Sequence, residues 1–190
     1  MHFVPFKSGG APLELRSGGV AFGASGKHAE HIFAAYNAGS DPIRIEFTES
    51  FDGGLTWQAP VVPSGRPMQG GPDQFMPSVA SQNDGTILIT YYDRSPDPTG
   101  SLVRQKVAIR YPGETTWVRR ARQLAEGQPS DLALMPHKCG TPSDRRFIGD
   151  YHRAVGGKTH VHALRVDALS GVGDPKVRLQ ASALSGSSWW

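Results

Sequence analysis

The chain has 190 residues, 38% of them hydrophobic, and a formal net charge of +3, enough for one domain with a sizeable core. Its basic residues are scattered, which leaves nucleic-acid binding unmotivated, and no apolar run approaches membrane-spanning length. The single cysteine, Cys139, excludes an internal disulfide. With 23 glycines, 15 prolines and no long apolar pattern of period 3.6, the chain reads as many short strands joined by sharp turns.

Leu13-Glu14-Leu15-Arg16 alternates like a short strand and is broken by Gly18-Gly19. Gly19 to Ala24 and His31 to Tyr36 are two further strand candidates, the second apolar enough to be covered on both faces. A turn at Asn37 to Pro42 leads into Ile43 to Thr48, and Ala59 to Val62 forms a short outer strand. The next group opens with Phe75 to Ala80, bends at Asn83-Asp84-Gly85 and returns as Thr86 to Tyr92, a strong hairpin signal. Leu102 to Tyr111 and Val118 onward add two strands. A long connection over 126–145 follows, with a helical turn expected near Ser130 to Leu134. The last group opens at Phe147 to Tyr151 and continues as Thr159 to Leu164 and Lys176 to Ala183.

One stretch organises the rest. Ser50-Phe51-Asp52-Gly53-Gly54-Leu55-Thr56-Trp57 follows the alternating run at 43–48. It reads as a turn in which Asp52 bonds backbone amides, glycines supply positive φ, and Trp57 packs beside the returning strand. The pattern returns in decayed form 60 residues later, from Arg110 to Trp117, keeping Gly113, Thr116 and Trp117. It returns again 72 residues further on, from Ser182 to Trp189, keeping Ser182, Gly186 and Trp189. Recurrence at this period marks stacked supersecondary units. Three copies are expected, over about 17–65, 73–127 and 146–190, with residues 1–16 available as a closing strand.

The stretch Ser50–Trp57 resembles the Asp-box of sialidases and bacterial neuraminidase repeat proteins, with Ser50, Asp52, Gly54, Thr56 and Trp57 in the box positions. Asp73 to Ser95 and Arg146 to Val155 are also similar to stretches of secreted proteins of that superfamily. The resemblance implies an all-β fold made of three blades of a sialidase-like β-propeller. Such a partial ring would reach six blades through a second copy or a longer parent chain. It implies secretion or a periplasmic location, although Met1 to Pro5 shows no signal peptide. In such a propeller the first strand of each blade lines the axis. Asp73, Gln74, Asp93, Arg94, Asp150, Tyr151 and His152 would then meet at a central funnel and bind a glycan or another small polar ligand. The competing reading is that these groups tie neighbouring blades together through buried hydrogen bonds.

Sialidases also need three arginines for the substrate carboxylate, a Tyr nucleophile with its Glu, and an Asp acid/base. Their early Phe/Tyr-Arg-Ile-Pro motif has its nearest counterpart in Ile43-Arg44-Ile45-Glu46, which lacks the proline. Catalytic residues are therefore unassigned. Arg44, Arg104 and Lys176 occupy equivalent positions on third strands and read as salt-bridging surface residues. His160 and His162 share one face of a strand without a placed third ligand, so no metal or other cofactor is expected. Three functions stand side by side: a carbohydrate-recognising propeller, an exo-sialidase-type hydrolase with degenerate motifs, and a structural half-propeller. Three blades leave two open flanks, expected to carry Phe33, Ala35, Leu88, Thr90, Val161 and Ala163, so a homodimer or a place within a larger chain is expected.

Overall fold

The computed structural model describes residues 2–4, 13–15, 20–25, 28–39, 42–65, 71–95, 102–120, 130–131, 153–158, 160–169 and 176–185. Within them the protein is all-β, without a helix. Strands β1 (His2–Val4) and β2 (Leu13–Leu15) pair with each other in a small sheet of their own. Three antiparallel sheets follow in chain order. The first is β3 (Val20–Ala24), β4 (Ile32–Ala38) and β5 (Arg44–Ser50). The second is built on β6 (Gln74–Ser81), β7 (Ile87–Asp93) and β8 (Leu102–Arg110), with β9 (Val118–Arg120) and β10 (Ser130–Asp131) both on β8. The third is β11 (Arg153–Gly156), β12 (His160–Leu169) and β13 (Lys176–Ser185).

Each sheet is a meander, and the first strands of the three sheets are neighbours: β3 packs on β6, and β6 on β11. That is the arrangement of blades in a partial β-propeller. Side-chain alternation explains how the sheets stack. Ile87, Ile89 and Tyr91 of β7 face the first sheet, where with Val79 and Ala108 they meet Phe33, Ala35, Ile45 and Phe47. Leu88 of β7, with Ala80, Val107 and Ile109, faces the third sheet and meets Ala154 and Val161. The middle sheet is thus covered on both sides, which is why every residue of β7 is buried.

Two residues of β6 stitch the three sheets together. The Ser81 hydroxyl donates to the Ala24 carbonyl at 2.9 Å, and the Ser78 hydroxyl accepts from the Ala154 amide at 2.6 Å. At Gly156 the approach is closer still: a Cβ there would stand 1.7 Å from the Ser81 carbonyl oxygen.

The structure departs from the sequence reading in four places. Ser130–Asp131 is a strand on β8, not a helical turn, because β8 offers it an open edge. Ala59 to Val62 makes only a single bridge, Val61 with Phe47, since Pro60 and Pro63 remove donors on either side. Pro77 likewise interrupts β6, where pairing with β7 slips between Phe75 and Ser78 and Met76 takes a φ of 51°. Finally, Phe33, Ala35, Leu88, Thr90 and Val161 do not form open flanks; all five are buried, and Phe33, Ala35, Leu88 and Val161 fill the spaces between sheets. The first sheet instead exposes Phe22, and the third Val155. Ala163 lies outside the residues whose side chains are described, as does the expected strand at 147–151.

Candidate functional site

At one end of the middle sheet, the expected polar residues of β6 and β7 come together. Asp93 is fully buried; its carboxylate accepts from the Gln74 amide at 3.0 Å and the Ser95 backbone at 2.7 Å, and Lys106 stands 3.1 Å away. Burial pushes its pKa up, but the bonds from Ser95 and Gln74 outweigh that and hold it below the ordinary carboxyl value. Arg94, also buried, donates to Asp73 at 3.1 Å, while Asp73 accepts from the Ile43 amide at 2.9 Å. Gln74 bonds the Ile43 carbonyl through its own backbone amide at 2.8 Å. This cluster therefore joins the start of β5 to the middle sheet, the tie between blades that the sequence also allowed. Asp150, Tyr151 and His152 lie outside the described residues.

The opposite end of the same sheets is built differently. Here the Ser50–Trp57 turn closes on itself. The Asp52 carboxylate accepts from the Thr56 amide at 2.9 Å, the Thr56 hydroxyl at 2.6 Å and the Ser50 hydroxyl at 2.6 Å. The Ser50 oxygen in turn accepts from the Gly54 amide at 2.8 Å. Gly53 and Gly54 have φ of 71° and 97°, values that side chains with a Cβ rarely adopt. The Trp57 indole donates to the Gly54 carbonyl at 3.1 Å. Hydrogen bonds from Ser50 and then Thr56 lower the Asp52 pKa to about 2. A depressed carboxyl stabilises the fold above its ordinary value of 3.8, and that contribution is lost as the pH falls toward 2. Asp52→Ala is accordingly expected to lower the melting temperature at neutral pH and to flatten its decline in acid. Thermal melts across that range check this; an unchanged curve would contradict it.

Phe51, the residue between Ser50 and Asp52, projects from this turn and is 56% exposed. It stacks on His31 with ring centroids 4.6 Å apart and planes at 22°. His31 donates to Glu49 at 2.8 Å. Arg110, the last residue of β8, grips the same carboxylate with both terminal nitrogens, one at 2.6 Å. Its guanidinium also lies over the rings of Phe47 (5.2 Å) and Trp117 (5.4 Å). Burial alone would raise the Glu49 pKa; the bonds from Arg110 and His31 more than offset it, so the carboxylate stays charged.

His31, Glu49, Phe51 and Arg110 line a cleft of about 370 Å³ between the first and second sheets. Its walls are the turn at Phe51, the Asp84-Gly85 turn between β6 and β7, and the turn Tyr111 to Thr115 after β8. Phe51 and Tyr111 hold the same place in the first and second copies of the repeated turn. The two turns form the two lips of one cleft.

The sequence reading missed His31, Glu49, Phe51, Arg110 and Tyr111 as a group. Two signals were present: an aromatic at the second box position of the first and second copies, and in the second an arginine where the first has Ser50. Of the expected salt-bridging residues, Arg44 lies 2.7 Å from Glu46 on its own strand. His160 and His162 stack 6.4 Å apart, and among the described residues no group of three or more His, Cys, Asp or Glu could hold a metal ion.

No family model and no curated protein matches the chain. Among solved structures it is similar to Zg3597, a family 117 glycoside hydrolase produced by the marine bacterium Zobellia galactanivorans, at 14% identity and a TM-score of 0.46. That likeness covers 95% of this chain and 57% of the other. At this level it carries no functional weight, and the chain's own geometry has to.

Proposed function

We propose that the protein recognises carbohydrate, and that the cleft between the two repeated turns is where it does so. One observation carries this: exposed Phe51, backed by His31, lines a cleft together with Tyr111 and a charged Glu49–Arg110 pair. Saccharides present flat apolar ring faces and a rim of hydroxyls. Aromatic rings suit the first, and carboxylate and guanidinium edges suit the second. The volume lies within the range of about 300–1,000 Å³ typical of small-molecule sites.

Binding is favoured over sialidase-type hydrolysis by the state of the arginine. A sialoside carboxylate needs a guanidinium to pair with, and that of Arg110 is already doubly bonded to Glu49. Glu49, kept charged by those bonds, is also poorly placed to donate a proton.

Titration calorimetry against an oligosaccharide panel tests the proposal. Phe51→Ala should weaken the best ligand about tenfold, as expected for losing one stacking ring. Phe22→Ala removes a comparably exposed ring (72%) from outside the cleft and should change nothing. The proposal fails if no saccharide binds, or if the two variants behave alike.

A further inference from the structure

We infer that the cleft selects an amino-bearing, cationic sugar over a carboxylated one; this rests on the saccharide reading above and narrows it. The described lining carries three carboxylates, Glu49, Asp84 and Glu114, a single guanidinium, that of Arg110, and two imidazoles, His28 and His31, the second bonded to Glu49. Arg110 and Glu49 neutralise each other through two hydrogen bonds, and the guanidinium is further covered by Phe47 and Trp117. That leaves Asp84 and Glu114. Both are exposed and stand on different turns of the cleft, one between β6 and β7 and the other after β8. Among the described residues neither is in an ion pair. Asp84 uses one oxygen to accept from the Thr86 amide at 2.8 Å.

The chain as a whole is basic, at +3, so this negative lining is a local feature of the cleft. An ammonium on a bound sugar would donate charge-assisted hydrogen bonds to the carboxylates. It would also be attracted by the exposed face of Phe51. A carboxylate in the same position would meet two like charges and a guanidinium already occupied by Glu49.

The test is calorimetric titration of the protein with three ligands: a glucosamine trimer, its N-acetylated counterpart and a galacturonate trimer, each at low and high salt. The glucosamine trimer should bind about tenfold tighter than the acetylated one at low salt, as two exposed ion pairs would give. The preference should shrink at high salt, where such charges are screened. In the double variant Asp84→Asn, Glu114→Gln the two trimers should bind alike. Asparagine keeps the oxygen that accepts from Thr86, so the turn is retained. Equal affinity for the two glucosamine trimers, or tighter binding of galacturonate, would overturn the inference while leaving the saccharide reading intact. A preference that survives in the double variant would overturn it too. Binding of none of the three by wild type would overturn the inference and count against the reading beneath it.

Discussion

Replacing Arg110 with alanine should destabilise the protein by about 2–3 kcal/mol, at or just below the lower end of what breaking a fully buried ion pair costs, because both side chains keep a little exposure. Three losses coincide. Glu49, whose side chain is only 12% exposed, is left with His31 as its side-chain partner among the described residues. The guanidinium no longer covers Phe47 and Trp117. The second sheet also loses its direct bond to the end of β5 in the first. Glu49→Gln should cost less, because an amide is cheaper to bury than an unpaired charge. In a double-mutant cycle the pair should therefore show clear coupling. The pH dependence follows from the sign of the shift. The Glu49 carboxyl lies below its ordinary value of 4.5, so the pair's contribution is full above that pH and fades as the pH falls further. Arg110→Ala should remove that part of the acid sensitivity. Denaturant titrations of the four proteins, at neutral pH and in acid, check both statements, and additive effects would contradict them.

Gly156→Ala should be damaging for a steric reason. Its Cβ would fall 1.7 Å from the Ser81 carbonyl oxygen, and the neighbouring backbone carbon would be 2.7 Å away. These are backbone atoms of β6, whose Ser81 side chain also bonds Ala24 of the first sheet. They cannot turn aside as a side chain would. The third sheet must move off the second, opening the contact of Ala154 and Val161 with Ala80, Leu88, Val107 and Ile109. Overpacking of this kind costs about 1–3 kcal/mol or more. Val155→Ala, one residue away on an exposed side chain, should stay within about 0.5 kcal/mol of wild type. If both variants melted like the parent, the close approach of β11 to β6 would be wrong.

The all-β, sheet-after-sheet organisation was legible because period-two alternation and turn residues are local signals. Asn83-Asp84-Gly85 marks a hairpin wherever it stands, and Asp52 can find the Thr56 amide without help from the rest of the fold. The stacking direction was not legible. Alternation says that Ile87 and Leu88 face opposite ways, but not that both faces are covered. Reading Phe33 and Leu88 as open flanks assumed the apolar faces lay outermost, when they lie between sheets. The cleft was missed for a similar reason. Glu49 and Arg110 stand 61 positions apart and are joined only by sheet packing. The departure of the second turn from the pattern of the first, arginine for serine, looked like decay and is instead the contact between them. Asp73, Gln74, Asp93 and Arg94 lie together because register places Gln74 opposite Asp93. Their protein partners, Ile43 above all, come from the neighbouring sheet and could not be read from spacing.

Amide chemical-shift mapping during titration with the best-binding saccharide will tell whether ligand binds at the turn end of the sheets. The largest shifts should fall on Phe51, Gly85 and Gly113 to Thr115, with the amides of Gln74, Asp93 and Arg94 unmoved. Shifts concentrated on Asp73 to Phe75 and Asp93 to Ser95, with the amides around Phe51 and Gly113 silent, would contradict it and place the site at the other end.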